Sequence, residues 1–312
     1  MTHLWGWIGF NAVVLAILAL DIGILSRGSA RISLKRAALM SGLWIVLSLS
    51  FAAGIYRVMG HEAGLEFLTG YLIEYALSVD NIFVFVLIFA YFQVPERYQH
   101  RVLFWGIIGA LVLRGAMILA GAVLVARFGW ILYLFGAFLV FTGLRMALQQ
   151  DESVYDAERD PLLRIVRRLI PVTDEFRGEA FFVREPDAGG RLRRWATPLF
   201  IVLLVVDTTD VVFATDSIPA IFAVTRDPFI IYTSNICAVL GLRALYSVLS
   251  NMMDKFHYLK LGLSLVLMFI GVKMLVERFF PIPILVSLAV VAAVLTTSVV
   301  ASLKWPKADA SA

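Results

Sequence analysis

Cysteine is nearly absent from these 312 residues and histidine is scarce, with one cysteine, Cys237, and four histidines. A single thiol excludes an intramolecular disulfide and any zinc or iron–sulfur site built from several cysteines. Four scattered histidines leave little for a histidine-rich metal cage. Charge is also sparse, at 16% of residues against 61% hydrophobic, with a mean hydropathy of +0.87. Soluble domains carry about 25% charged residues, so the composition is that of an integral membrane protein. The net charge of +4 is distributed between apolar runs. The basic residues therefore read as topology signals, and the charge requires no nucleic-acid partner.

A bilayer core of about 30 Å needs about 20 apolar residues per helix. Nine runs come close to or exceed that length: Leu4–Leu25, Ala37–Tyr56, Phe67–Phe92, Val102–Val125, Gly129–Leu148, Pro198–Val224, Phe229–Ser250, Leu261–Val276 and Ile282–Leu303. No lysine or arginine precedes the first run, which reads as a retained helix and not a signal peptide. With the N-terminus outside, the inner loops collect nineteen lysines and arginines and the outer loops four. That bias predicts an all-α membrane protein of nine spans, N-out and C-in.

The expected layout is residues 1–148 with spans one to five, a cytoplasmic insert over 149–197, and residues 198–312 with spans six to nine and a short tail. The insert holds nine arginines and ten acids. Asp160-Pro161 and the apolar positions through Ile170, interleaved with arginines, predict a capped amphipathic helix at the inner surface. Ala180 to Val183 and Arg191 to Trp195, on either side of Pro186-Asp187-Ala188-Gly189-Gly190, predict a short hairpin.

Span three repeats in span six. Glu74, Asp80, Asn81 and Ile82 align with Asp210, Asp216, Ser217 and Ile218 at identical spacing. Gly109 to Arg114 in span four aligns with Ala238 to Arg243 in span seven. Phe141-Thr-Gly143-Leu-Arg145-Met146 in span five aligns with Phe269-Ile-Gly271-Val-Lys273-Met274 in span eight. Under the charge-derived topology spans three and six run in opposite directions, so spans three to five and six to eight form two inverted three-helix repeats. That is transporter architecture, with the substrate site expected near the midplane on interrupted helices. Pro219 points to a break in span six.

Six acids lie within the runs: Asp21, Glu74, Asp80, Asp207, Asp210 and Asp216. Deep basic partners number two, Arg114 and Arg243. A charge at the bilayer centre costs about 2.5 to 3.5 kcal/mol on insertion scales. The surplus carboxylates therefore require protons or a bound cation. On a helix Glu74, Ser78 and Asn81 share one face, as do Asp210 and Ser217, while Asp80 and Asp216 point about 120° away from the acids that precede them. An unwound segment that brings Asp80 and Asp216 together across the repeat axis would reconcile the two directions. The expected metal ligands are Glu74, Asp80, Asn81, Asp210, Asp216 and Ser217, with Asp21, Asp207, Arg114 and Arg243 as accessory or charge-pairing residues. Oxygen donors of this kind suit manganese, magnesium or calcium and fit copper or zinc poorly.

These motifs, together with Ala196-Thr-Pro198-Leu199, Phe213-Ala-Thr-Asp216-Ser217-Ile-Pro219-Ala220, Ser234-Asn235-Ile and Gly241-Leu-Arg243-Ala244-Leu-Tyr246, resemble the TerC family, and the length and layout are similar to its Alx-like branch. The resemblance covers nearly the whole chain. It implies a multi-pass protein of the bacterial inner membrane, in a wider group that includes LysE-type exporters. The family is named for tellurium resistance, and its members are implicated in manganese export. Carried over residue by residue, its acidic motifs fall on Glu74, Asp80 and Asn81 and on Asp210, Asp216 and Ser217, and its first-helix acid on Asp21. The redox-modulator description attached to the Alx branch finds no carrier here, because one cysteine and no haem or flavin motif leave none.

The expected function is Mn²⁺ efflux by alternating access, with protons as a candidate coupling ion, no permanently bound cofactor and no enzymatic activity. A membrane scaffold linked to metal or tellurite stress, or a Ca²⁺/cation exchanger, is the alternative. Beyond the lipid bilayer and the cation, the sequence names no protein partner and excludes nucleic acid.

Overall fold

A computed structural model of the chain describes residues 2–25, 34–148, 171–186, 191–249, 258–277 and 279–304, with the side chains of all but 2, 3, 20–25, 80 and 83. The amphipathic helix expected over 160–170 lies outside these residues. The described chain is helical apart from one two-stranded sheet. The helices are α1 (Thr2–Leu25), α2 (Leu34–Met59), α3 (His61–Tyr91), α4 (Glu96–Arg127) and α5 (Ile131–Leu148), followed by strands β1 (Phe182–Pro186) and β2 (Leu192–Ala196). Helices α6 (Pro198–Phe222), α7 (Pro228–Leu240), α8 (Leu242–Leu249), α9 (Leu259–Val276) and α10 (Ile284–Lys304) complete it.

Seven of these, α2 to α6, α9 and α10, are long and apolar enough to cross a bilayer. The pair α7–α8, bent by 41°, makes an eighth, and α1 holds a shorter apolar helix over Leu4–Ala19. Leu39, Leu43, Val112, Phe141 and Leu285 project outward from four of them and are exposed. Lipid tails satisfy such surfaces, which water would drive to aggregate. The protein is a multi-pass α-helical membrane protein.

The bundle has a buried centre and a lipid-facing ring. Helix α7 is buried from Phe229 to Leu240 apart from Tyr232, and α3 along most of its length. Helices α2 and α3 are separated only by Gly60, whose φ of 104° is the left-handed conformation that favours glycine. Asp227 caps α7 by accepting a 2.8 Å hydrogen bond from the Phe229 amide, with Pro228 preset at the first helical position.

Helices α5 and α9 lie backbone against backbone. A Cβ on Gly271 would meet the Gly136 carbonyl oxygen at 2.6 Å, and one on Gly143 would meet the Ser264 carbonyl oxygen at 2.8 Å. Small residues permit this approach where lipid supplies no hydrophobic driving force.

Two expectations about helix breaks are corrected. Helix α3 runs without interruption through Asp80, and α6 through Asp216. Pro219 sits three residues before the end of α6. The missing amide therefore costs one hydrogen bond near a terminus where carbonyls are already fraying. The break falls instead at Gly241, between α7 and α8.

The hairpin is present, its strand ends displaced toward the C-terminus by one to three residues. Phe182 pairs with Ala196, Arg184 with Arg194 and Pro186 with Leu192. Thr197 fastens its base, donating from its hydroxyl to the Ala180 carbonyl at 2.7 Å and from its amide to Phe181 at 3.0 Å. Arg101 at the start of α4 reaches Glu179 at 3.0 Å and lies over the Phe181 ring.

Candidate functional site: a buried arginine between two carboxylates

Arg114 projects from the middle of α4 into the bundle and is 1% exposed. Its Nε donates to Asp210 Oδ2 at 2.8 Å and its Nη2 to Asp210 Oδ1 at 2.7 Å, a bidentate pair with α6. Its Nη1 donates to Glu74 Oε1 on α3 and, at 3.4 Å, to Asn235 Oδ1 on α7. Glu74 is 0% and Asp210 3% exposed. Four helices meet at one guanidinium, whose planar fork suits two carboxylates at once.

The cluster leaves partners unfilled. Among the described residues, Glu74 Oε2, Ser78 Oγ, Ser217 Oγ and Asn235 Nδ2 are buried with no hydrogen-bond partner. An orphaned buried polar atom costs about 1–3 kcal/mol. Ser78 follows Glu74 by one turn of α3 and Ser217 follows Asp210 by two turns of α6. Asn81, one turn beyond Ser78, is also buried. The result is two rows of polar atoms, on α3 and α6, extending from the arginine.

The second acid of the α6 motif has Thr142, and not Arg114, as its hydrogen-bond partner among the described residues. Asp216 is half-buried and accepts a 3.3 Å hydrogen bond from Thr142 of α5. Asp80 lies on α3 and Asp21 on α1, and both side chains lie outside the described residues. No three histidine, cysteine, aspartate or glutamate side chains converge on a metal-sized point among the described residues.

Asp207 occupies a notch in α4. A Cβ on Gly109 would meet its carboxylate atoms at 2.6–2.8 Å, and one on Gly106 would meet its Oδ1 at 3.7 Å. Its Oδ1 is buried without a hydrogen-bond partner. Two glycines thus make room for a carboxylate against bare helix backbone. Arg243, just past the bend at Gly241, lines a small cavity with Asp210, Gly106, Ala110, Phe85 and Leu242.

Three polar residues here carry no expectation from the sequence: Asn235, Thr142 and Glu66. Asn235 and Thr142 stand inside motifs quoted above, Ser234-Asn235 and Phe141-Thr-Gly143, yet neither is ionisable. Glu66 falls one residue before the third apolar run. It accepts a 2.7 Å hydrogen bond from Thr225, whose hydroxyl oxygen in turn accepts the Asp227 amide at 3.2 Å. This network ties α3 to the α6–α7 turn. At the other end of α3, Tyr246 of α8 donates to Gln99 of α4 at 2.8 Å.

Known proteins share this sequence along its length. An "Uncharacterized membrane protein STKORF319" of Myxococcus xanthus is 50% identical over 310 residues, 98% of this chain and 95% of its own. The "Putative membrane-bound redox modulator Alx" of Escherichia coli (strain K12) is 48% identical over 301 residues, covering 94% of this chain and 91% of its own. An "Uncharacterized membrane protein" of Rickettsia bellii is 40% identical over 296 residues, covering 95% and 96%. No solved structure matches the chain. Residues 59–310 match the family described as "Integral membrane protein TerC family", and the chain belongs to that family.

Proposed function

We propose that this protein is a divalent-cation transporter of a bacterial inner membrane, exporting Mn²⁺ by alternating access and performing no enzymatic reaction. The observation that carries the reading is the buried polar row on α3 and α6, where oxygens of Glu74, Ser78 and Ser217 lack hydrogen-bond partners beside an arginine that already engages two carboxylates. Arg114 accounts for two of the six intramembrane acids. Asp207 and Asp216 keep carboxylates that no cationic side chain within 4 Å engages among the described residues, and Asp21 and Asp80 add two more by sequence. Hard oxygen donors of this kind suit manganese or calcium.

Counting α1 as one span and α7–α8 as one bent span gives nine, and the basic loops orient them N-out and C-in. Packing supports the inverted repeats. The alignment that puts Gly143 on Gly271 puts Gly136 on Ser264. Exchanging the repeats therefore converts the Gly143–Ser264 contact into the Gly271–Gly136 contact, and both are present.

The charge cluster breaks that symmetry. Glu74 and Asp210 are repeat equivalents, as are Arg114 and Arg243, yet both acids engage Arg114. Inverted repeats reach the opposite-facing state by exchanging roles, so in that state Arg243 takes the two carboxylates. Between the two states the acids are transiently free to meet the cation, with Asp80, Asp216, Asn81 and Ser217 completing its oxygen shell. Protons exchanged at the same carboxylates would couple the cycle. In this reading the redox description carried by the Alx relatives reports a consequence of metal balance, since the one thiol of this chain, Cys237, is buried.

The test is flux from liposomes holding the purified protein, comparing Mn²⁺ with Ca²⁺ and Mg²⁺, with Asp80→Asn and Asp216→Asn alongside. Selective Mn²⁺ movement lost in both variants is the expected result. Folded wild-type protein that moves no cation would overturn the reading, and selective Ca²⁺ movement would reassign the substrate.

A further inference from the structure

The hairpin ahead of α6 sorts its charges by face. Opposed residues of an antiparallel pair project to the same side. One face therefore carries Phe182, Arg184, Pro186, Leu192, Arg194 and Ala196, and the other Val183, Glu185, Arg193 and Trp195. The single described acid of the strands, Glu185, lies on the second face and is engaged by Arg177 at 2.8 Å. The first face holds two arginines and no described acid.

Those arginines stand directly across from each other, Arg184 opposite Arg194. Like charges in that register repel. Both are exposed, and among the described residues no hydrogen bond or ion pair reaches the Arg184 side chain. Arg194 is held in place on this face, its guanidinium 4.1 Å from the centre of the Phe182 ring. A cross-strand arginine pair kept in register is a forked receptor for a phosphate, which would turn the repulsion into shared binding.

The direction of the face identifies the source of that phosphate. Phe182 belongs to the arginine face, and its ring lies 4.5 Å from that of Phe200, the third residue of α6. Helix α6 starts at Pro198 and spans the bilayer. The face that bears the arginines is thus the one whose base packs against α6 where that helix begins. Leu192, near the hairpin tip on the same face, is 74% exposed. An apolar side chain beside two arginines at the membrane boundary matches the layering of acyl chain and head group.

We propose that the Arg184–Arg194 face of the hairpin seats the phosphate head group of an anionic phospholipid in the leaflet that α6 enters, with Leu192 dipping among the acyl chains. The seat anchors the hairpin and, through Thr197 and Arg101, the ends of α6 and α4. It is independent of what the bundle transports.

The experiment uses the full-length protein in mixed phosphatidylcholine and phosphatidylglycerol bilayers, released for native mass spectrometry. The double variant Arg184→Ala with Arg194→Ala is expected to retain one phosphatidylglycerol fewer per chain than wild type, while Arg193→Ala, on the opposite face, retains the wild-type complement. Equal retention by the double variant, or an equal loss in Arg193→Ala, overturns the proposal. In a second measurement, Leu192→Cys carries an environment-sensitive dye, the native Cys237 being buried. Its emission is expected to shift to the blue in vesicles containing phosphatidylglycerol relative to phosphatidylcholine alone, and to lose that shift with both arginines replaced. The same emission in both vesicle types would leave the face to soluble anions and overturn the lipid assignment.

Discussion

Arg114 holds Asp210 through two parallel hydrogen bonds, Nε to Oδ2 at 2.8 Å and Nη2 to Oδ1 at 2.7 Å, in a place where neither side chain meets solvent. Removing one partner of a buried pair leaves an uncompensated charge, which costs about 3–5 kcal/mol. Arg114→Gln is therefore expected to lower the unfolding midpoint in detergent steeply, and Arg114→Lys less, because lysine keeps the charge although its point charge cannot bridge two carboxylates at once. Adding Glu74→Gln and Asp210→Asn to Arg114→Gln removes the stranded charges and should recover much of the loss. Thermal unfolding followed by size-exclusion fluorescence reads this; no recovery in the triple variant would count against a charge-based cause.

The α5–α9 seam predicts a stability effect remote from any charge. Gly271→Val forces its side chain into the Gly136 carbonyl, which a bare Cβ would meet at 2.6 Å, whereas Gly54→Ala has nothing within 4 Å. Overpacking costs about 1–3 kcal/mol. Gly271→Val should thus lower the melting temperature and Gly54→Ala leave it near wild type. Equal melting temperatures for the two would contradict the close approach.

Much of this molecule is legible in its sequence because the bilayer constrains it so strongly. The apolar runs mark the helices, and the paired motifs mark Glu74 with Asp210 and Arg114 with Arg243 before any contact is known. The partnership within that set is not legible. Spacing alone cannot tell that α4 delivers Arg114 to both acids, since this depends on how three helices cross. Nor does it reveal Asn235 or Thr142, neutral residues that complete charged sites by position. Proline is a poor guide here, because Pro219 falls where the helix is already ending, and the bend belongs to Gly241.

Asp207 yields a prediction that separates function from folding. Gly109→Ala would press a methyl group against its carboxylate, which a bare Cβ meets at 2.6–2.8 Å. Asp207→Asn keeps the shape and removes the charge. If the notch holds Asp207 for transport, both variants should insert and melt near wild type yet carry less cation in the liposome assay. Full flux in both would make Asp207 a packing residue.

Thr225 and Glu66 form a tie between α3 and the α6–α7 turn, with a hydroxyl donating to a carboxylate at 2.7 Å. Hydrogen bonds to charged groups are worth about 1.5–3 kcal/mol. Thr225→Val and Glu66→Gln should each destabilise, and the double variant should lose less than the two single losses combined. Additive losses in a double-mutant cycle would show that the two side chains act separately.

The asymmetry at Arg114 carries the mechanism, and it can be tested by trapping. If the acid pair passes from Arg114 to Arg243 as the repeats exchange roles, each arginine stabilises one facing state. Arg243→Gln then leaves the arrangement seen in this structure as the favoured state, and Arg114→Gln, with the stability it loses from that arrangement, favours the opposite one. Either substitution should abolish net flux, because a cycle needs both ends. They should differ in which side opens. Ala223→Cys near one end of the bundle and Val94→Cys near the other are both at buried positions, and the native thiol is buried. With a membrane-impermeant maleimide applied from each side, the ratio of labelling at 223 to labelling at 94 should move in opposite directions in the two backgrounds. A ratio that moves the same way in both would mean that Arg114 and Arg243 do not alternate, and the two carboxylates would then belong to Arg114 throughout the cycle as a fixed structural pair.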